Sequence, residues 1–125
     1  MEAMVKKILI VDDQPEVSRL LEVILRGEGR QLLIAKNGEE GCAMARSVFP
    51  DLILLDLMLP GSIDGYEVAR RLKMDPATAG AHILVMTAKV HEQNRREAFA
   101  AGADDYITKP FDVFDLQARV SRLLG

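Results

Sequence analysis

The chain has 125 residues and 49% of them are apolar, which matches one globular domain and excludes a disordered segment. Its 16 basic and 19 acidic side chains give a formal net charge of −3, which argues against a nucleic-acid binder that works through bulk positive charge. The single cysteine, Cys42, excludes an internal disulfide framework and a cysteine-based zinc site.

The apolar stretches of the sequence are short. None approaches the ~18 residues that a membrane-spanning helix needs. The start, Met1–Lys7, leads into only four strongly apolar residues, which are too few for a signal peptide. We therefore expect a soluble cytoplasmic protein without membrane contact.

Five apolar runs mark the predicted strands in chain order. They are Ile8–Val11, Leu32–Ala35, Leu52–Leu55, Ile83–Met86 and a weaker run, Tyr106–Ile107. None of them alternates polar with apolar residues, and such continuous runs are typical of strands buried on both faces of a parallel sheet.

Segments with helical spacing lie between and after these runs. The predicted helices are a first one from Pro15 to a stop at Gly27, then Glu39–Val48, Tyr66–Met74, Glu92–Ala101, and a last one capped by Asp112. A strand followed by a helix, repeated five times, predicts a single doubly wound α/β domain over residues 1–125, without an output domain. We expect a five-stranded parallel sheet in the order 2-1-3-4-5, the flavodoxin-like arrangement.

Polar side chains follow four of the predicted strands. Asp12 and Asp13 follow the first strand, Asp56 the third, Thr87 the fourth, and Lys109 comes just after the fifth. Aspartate is common after strands as a turn residue. The carboxyl ends of parallel strands share one edge, however, and ligands bind there where the strand order switches. We therefore expect these five side chains to form one site.

Three carboxylates within a few ångströms repel one another, by about 4 kcal/mol for a pair ~4 Å apart at an effective dielectric of ~20. Either a proton is retained or a cation binds there. Oxygen ligands without histidine or cysteine favour Mg²⁺, with Mn²⁺ as a second option, over zinc or copper. Mg²⁺ also prefers waters and phosphate, so the site is predicted to receive a phosphoryl group on one carboxylate, with Lys109 neutralising the charge that develops.

Four segments together resemble the receiver domain of bacterial two-component response regulators. They are Lys7–Asp13, Asp51–Pro60, Met86–Ala88 and Gly102–Phe111. The resemblance covers nearly the whole chain. It implies that Asp56 accepts a phosphoryl group from the phosphohistidine of a sensor histidine kinase or a histidine phosphotransfer protein.

The resemblance also implies roles for the other residues of this edge. Asp12 and Asp13 would hold Mg²⁺ together with Asp56 and the main-chain carbonyl of Met58. Lys109 would pair with phosphoryl oxygens, after a cis bond to Pro110.

A switch and a control of phosphoryl lifetime follow from the same resemblance. Thr87 would turn its hydroxyl to the phosphoryl group, and Tyr106 would swing inward and change the surface formed by the fourth helix, fifth strand and fifth helix. Met58 and Lys89 would flank the path of the attacking water. Neither side chain supplies a carboxylate or amide to orient that water, which predicts a long-lived phosphoryl group.

The last helix, with Asp112–Val120, looks most like receivers that precede winged-helix DNA-binding domains. That resemblance implies a possible homodimer through the fourth helix, fifth strand and fifth helix. Across the two-fold axis, Arg95 would face Asp115, and Asp105 would face Arg119. The domain itself would not contact nucleic acid.

The main hypothesis is a signalling module that modifies only itself and is not an enzyme for an external substrate. One alternative is the receiver fragment of a larger effector, such as a DNA-binding regulator, a cyclic-dinucleotide enzyme or a hybrid kinase. Another is an aspartate-nucleophile phosphatase, but such enzymes usually carry a second aspartate where Met58 stands. A flavodoxin-like protein is a third, although Asp12 and Asp13 would repel the flavin phosphate.

Three remaining features carry no chemistry in this interpretation. The loop Pro60–Gly65 is one residue longer than the family pattern, which leaves its path and the start of the third helix open. Cys42 is expected to be a small buried side chain. His82 and His91 are expected at the surface, near the ends of their elements.

Overall fold

The computed structural model describes residues 5–27 and 29–125, and the expectation about a signal peptide concerns residues 1–4, which lie outside these ranges. The described chain alternates strands and helices. They are β1 Lys6–Val11, α1 Pro15–Leu25, β2 Arg30–Ala35, α2 Gly38–Val48, β3 Leu52–Leu55, α3 Gly65–Met74, β4 His82–Thr87, α4 Glu92–Ala101, β5 Asp105–Thr108 and α5 Val113–Leu124.

The five strands form one parallel sheet in the order β2-β1-β3-β4-β5, as predicted. The central strands are in register at their carboxyl ends, where Val11 lies opposite both Ala35 and Leu55, and Leu55 lies opposite Val85. This register brings the residues that follow β1 and β3 to one level of the same edge.

The sheet is buried on both faces, which explains the unbroken apolar runs. On β1, Leu9 and Val11 belong to a cluster shared with α2, α3 and α4, whereas Ile8 and Ile10 belong to a cluster shared with α1 and α5. All four side chains are fully buried. Burial of one such side chain contributes about 1.5–3 kcal/mol to the free energy of folding. The sheet is therefore a stable scaffold for the residues at its edge.

The element boundaries differ from prediction by a few residues, for local reasons. β2 begins at Arg30 rather than Leu32 because it already pairs with β1 from Lys6 onward. The carboxylate of Asp112 accepts a hydrogen bond from the Asp115 amide, as predicted for the N-cap of the last helix. In the described residues, no helix combines the length and apolar character needed to cross a bilayer.

The start of α3 is packed directly against the strand that precedes the site. A β-carbon on Gly65 would lie 2.5 Å from Cα of Leu57 and closer still to the carbonyl oxygen of Asp56. Because both neighbours are backbone atoms, neither can move aside as a side chain could. Glycine therefore lets α3 begin beside Asp56.

Substitution Gly65→Ala is expected to lower the free energy of unfolding by about 1–3 kcal/mol, the usual cost of overpacking. Urea denaturation measures the change. Gly80→Ala is the matched control, since a β-carbon there would meet nothing within 4 Å, and we expect it to stay within about 0.5 kcal/mol of the parent. Equal effects of the two substitutions would contradict the close packing of Gly65.

Candidate functional site

The predicted site residues lie together at the carboxyl edge of the sheet. Asp12 and Asp13 follow β1, Asp56 follows β3, and Lys109 comes immediately after β5. Thr87 is the last residue of β4 rather than the first after it, because it still pairs with β5. The strand order reverses between β1 and β3, so the acidic residues flank the switch point.

Three carboxylates form a cluster at this point. One oxygen each of Asp12, Asp13 and Asp56 lies within 4.8 Å of the others. Asp12 and Asp56 are only 1% and 5% exposed, whereas Asp13 is open to solvent. Burial raises the pKa of Asp12, and its hydrogen bonds to Lys109 and the Gln14 amide oppose that rise without cancelling it.

The Lys109 ammonium bridges the two buried members of this cluster. Its Nζ lies 2.8 Å from Asp12 Oδ2 and 3.0 Å from Asp56 Oδ2. Burial lowers the pKa of Lys109, but its hydrogen bonds to the two carboxylates outweigh burial, and the net pKa lies above the ordinary value. The lysine therefore stays charged, and within the described chain Asp13 is the cluster carboxylate that no ion pair compensates.

Backbone amides orient the two buried carboxylates. The Gln14 amide donates to Asp12 Oδ1 at 2.9 Å, and the Met58 amide donates to Asp56 Oδ1 at 3.1 Å. The other oxygen of each carboxylate accepts from Lys109, and Asp56 borders an open cleft. The cleft is lined by Asp13, Gln14, Asp56, Met58, Ala88 and Lys109.

The donor set fits a hard divalent cation. Three carboxylates supply only oxygen ligands, and their spacing lets a single ion contact all three. The exposure of Asp13 leaves room for water ligands, which Mg²⁺ retains more readily than zinc does. Met58, whose carbonyl is the predicted fourth protein ligand, lines the same cleft.

Thr87 directly precedes Ala88, which lines this cleft, and it is fully buried. Its Oγ1 accepts a long hydrogen bond of 3.4 Å from the Lys89 amide, while its carbonyl accepts one of 2.8 Å from the Lys109 amide. The peptide bond between Lys109 and Pro110 is cis, as the resemblance implied. The ends of β4 and β5 are thus joined next to the carboxylates.

Two tyrosines hold the loop after β4. Tyr106 points inward and is 6% exposed, its hydroxyl donates to the Lys89 carbonyl at 2.6 Å, and burial raises its pKa. Tyr66, at the start of α3, accepts a hydrogen bond of 3.2 Å from Asn94, and the Lys89 ammonium lies 5.9 Å from its ring centroid. The sequence analysis missed Tyr66, whose signal was its position directly after Gly65.

The four residues of the predicted dimer surface are engaged within the chain. Arg119 bonds Asp105 at 2.8 Å and Asp115 at 3.0 Å, and Arg95 lies 5.3 Å from the ring centroid of Phe99. Asp105 was predicted to face Arg119 across the two-fold axis, but it is buried, pairs with Arg119 of its own chain and also contacts Arg122 at 2.6 Å. Its side chain leaves the start of β5 towards α5, where both arginines reach it.

The expected positions of Cys42 and of the two histidines are confirmed. Cys42 lies on the buried face of α2, and burial raises the pKa of its thiol. His82 opens β4 and His91 precedes α4, and both are exposed. Neither histidine contributes to the acidic cluster.

A doubly wound parallel sheet with three carboxylates and a lysine at its switch point defines a flavodoxin-like α/β protein whose acidic cluster could hold a metal ion. The family model described as "Response regulator receiver domain" matches residues 8–121. The chain belongs to this family.

Two relatives illustrate the similarity in sequence. The chain is 46% identical over 118 residues to "DNA-binding dual master transcriptional regulator RpaA" of Synechocystis, covering 94% of this chain and 48% of RpaA. It is 45% identical over 119 residues to "Phosphate regulon transcriptional regulatory protein PhoB" of Pseudomonas aeruginosa, covering 95% of this chain and 52% of PhoB. The chain therefore spans about half the length of these relatives.

Solved structures show the same architecture. The BeF3-activated N-terminal receiver domain of Klebsiella pneumoniae RstA has a TM-score of 0.86 at 31% identity, covering 95% of this chain and 98% of that one. A CheY-like receiver domain protein from Methanospirillum hungatei has a TM-score of 0.87 at 32% identity, covering 96% and 94%.

Proposed function

We propose that Asp56 is the phosphoacceptor of this receiver domain, which acts as a phosphorylation-activated switch. The observation that supports this most directly is the position of the Asp56 carboxylate. It is buried at the switch point, next to Asp12 and Asp13 and 3.0 Å from Lys109. Mass spectrometry after incubation with Mg²⁺ and acetyl phosphate tests the assignment, because an acyl phosphate adds one phosphoryl mass that hydroxylamine removes.

The transfer is a displacement at phosphorus. A carboxylate oxygen of Asp56 forms the new P–O bond while the P–N bond to the donor imidazole breaks, and the imidazole takes a proton from water. Lys109 lies where it neutralises the negative charge that develops on the phosphoryl oxygens. Asp12, Asp13, Asp56 and the Met58 carbonyl would hold Mg²⁺, which supplies further charge neutralisation when bound.

The switch runs from the phosphoryl group to the α4-β5-α5 face. Thr87 and Tyr106 carry it, because their hydroxyls meet at Lys89: the Lys89 amide bonds Thr87 and the Lys89 carbonyl bonds Tyr106. When Thr87 turns to a phosphoryl oxygen, the loop shifts and stabilises the inward orientation of Tyr106 that the chain already adopts here. Phosphorylation then selects one conformation of this face.

The proposed donor is a sensor histidine kinase or a histidine phosphotransfer protein. RpaA and PhoB carry the words DNA-binding and transcriptional regulator in their names, and the chain spans about half of each. We therefore place it as the receiver part, residues 1–125, of a DNA-binding effector, in the cytoplasm. In this role the domain modifies only itself and leaves nucleic-acid contacts to another domain.

The proposed phosphoryl group is long-lived, because Met58 and Lys89 lack a group that orients water. Lys89 lies over the Tyr66 ring, and the Met58 side chain is exposed beside the acceptor. Replacing them together, Met58→Asn with Lys89→Glu, is expected to speed the loss of phosphate by about tenfold. Loss of radiolabel from the phosphorylated protein measures the rate, and an unchanged or slower rate would contradict the proposal.

A phosphorylation-dependent homodimer through α4-β5-α5 is proposed in which Arg95 faces Asp115 across the two-fold axis, while Asp105 and Arg119 stay paired within each chain. Each exposed pair is worth ~0.2–1 kcal/mol and occurs twice about the two-fold axis, so we expect Arg95→Glu to weaken the dimer about 2- to 30-fold. Sedimentation in the presence of beryllofluoride, which mimics the phosphoryl group, measures the dimer dissociation constant.

Arg96→Glu is the matched control for the dimer, because Arg96 is an exposed neighbour on α4 that lies 3.9 Å from Glu92, as Arg95 does. It should leave the association unchanged. Arg119→Glu is less suitable, since it also breaks two contacts within the chain. A protein that stays monomeric at high concentration with and without beryllofluoride would refute the dimer.

A further inference from the structure

The segment between β3 and α3 borders the acceptor and is fixed at both ends. At its start, the Leu57 carbonyl accepts a hydrogen bond of 3.0 Å from the Gly65 amide, and Leu57 is 1% exposed. At its end, the Asp64 carboxylate caps α3 through the Glu67 amide. Met58, the proposed carbonyl ligand, lies between these two anchors.

The middle of this segment is tied to α2 by a single carboxylate. Glu39, in the first turn of α2, accepts a hydrogen bond of 3.2 Å from the Ser62 amide and a second, short one from the Ser62 hydroxyl. In the described part of the chain, Glu39 is the acceptor of the hydrogen bonds donated by residues 59–63. The hydrogen bond from the Ser62 hydroxyl lowers the pKa of Glu39 from its ordinary value.

Gly61 and Ile63 also bring the same segment close to α2. Gly61 has a φ of +98°, and a β-carbon there would lie 3.2 Å from Glu39 Oε2. Ile63 is buried against the start of α2, where its Cγ1 comes within 2.6 Å of the position a β-carbon on Gly38 would take. The longer loop therefore contacts α2 through Ile63 and Ser62, while residues 60–62 remain exposed.

We propose that Glu39 is a positioning residue for the cation site: it holds the 58–64 segment in the conformation that directs the Met58 carbonyl into the cleft. The proposal rests on the function proposed above. Without the tether, the segment samples other conformations, and the apparent dissociation constant for Mg²⁺ rises as the competent fraction falls. One charge-assisted hydrogen-bond pair at the surface makes this effect about three- to tenfold in affinity.

Calorimetric titration of the chain with Mg²⁺ measures the affinity of the cation site. Urea unfolding in EDTA measures the stability of the metal-free chain. Glu39→Ala is expected to weaken Mg²⁺ binding about three- to tenfold. Glu39→Gln keeps an acceptor oxygen for Ser62 without the charge, and should restore affinity to within about twofold of the parent. Glu40→Ala is the matched control: it removes the same charge from the same helical turn without contact to the loop, and should also stay within about twofold.

A second comparison isolates the hydroxyl contact. Ser62→Ala should weaken binding less than Glu39→Ala, because the Ser62 amide still donates, and it should add nothing in the Glu39→Ala background. Equal affinities of Glu39→Ala and the parent would overturn the proposal, as would equal losses in Glu39→Ala and Glu40→Ala. A lower urea midpoint for Glu39→Ala with unchanged Mg²⁺ affinity would show a structural role alone and would also overturn it. A parent chain that binds no Mg²⁺ would instead remove the proposed cation site itself.

Discussion

Asp56→Asn is expected to abolish phosphorylation of the chain. Incubated with Mg²⁺ and acetyl phosphate, the parent should gain one phosphoryl mass that is labile to base and hydroxylamine. Asparagine keeps the shape of the side chain and its bond from the Met58 amide, but it lacks the anionic oxygen that attacks phosphorus. Intact-protein mass spectrometry should therefore show a loss of labelling of about 100-fold or more.

Asp112→Asn is the matched control for this experiment. Asparagine caps helices as well as aspartate does, so the start of α5 keeps its hydrogen bond while the net charge changes by the same amount. Labelling should be unchanged in this variant. Phosphorylation that survives Asp56→Asn would refute the assignment of the acceptor.

Asp13→Asn is expected to stabilise the metal-free chain and to remove its response to Mg²⁺. Lys109 bridges Asp12 and Asp56, so the carboxylate of Asp13 adds a negative charge that this lysine does not offset. Because Asp13 is exposed, solvent screens part of the repulsion, and we expect a gain of about 1–2 kcal/mol in the free energy of unfolding.

Mg²⁺ should then raise the melting temperature of the parent much more than that of Asp13→Asn. A ligand present at 100 times its dissociation constant stabilises the folded state by about 2.7 kcal/mol, which is well resolved in a thermal scan. Asp112→Asn again serves as the control, and Mg²⁺ should raise its melting temperature as much as it raises that of the parent. Equal responses of the parent and Asp13→Asn would contradict the assignment of Asp13 to the cation site.

The substitutions of Asp56 and Asp13 test different parts of the site. Asp56 is buried and paired with the half-buried Lys109, so substitution of either residue alters both the chemistry and the packing of the edge. Asp13 contributes charge at the rim and can be neutralised without a buried group losing its partner. The pair Asp12–Lys109 would behave in the opposite way, since removal of the lysine leaves two carboxylates uncompensated in a buried position.

The order of the strands and helices and the location of the acidic site could be predicted from the residue pattern alone. Strands buried on both faces must be apolar throughout, so β1, β3 and β4 were visible as unbroken runs. Helix starts followed from capping chemistry, which is local to three or four residues, as at Asp112. The parallel order then fixed which residues share an edge, and this brought Asp12, Asp13 and Asp56 together without any knowledge of side-chain contacts.

The hydrogen bonds and ion pairs around the site could not be predicted, because they join residues that are far apart in the sequence. Glu39 and Ser62 are 23 residues apart, and Tyr66 and Asn94 are 28 apart, so no local pattern relates them. Asp105 was predicted to face Arg119 of a second copy, yet it is buried where two turns of α5 bring arginines of the same chain to the start of β5. Such contacts depend on how helices pack against the sheet and on which rotamers that packing allows, and neither is encoded in the spacing of residues along the chain.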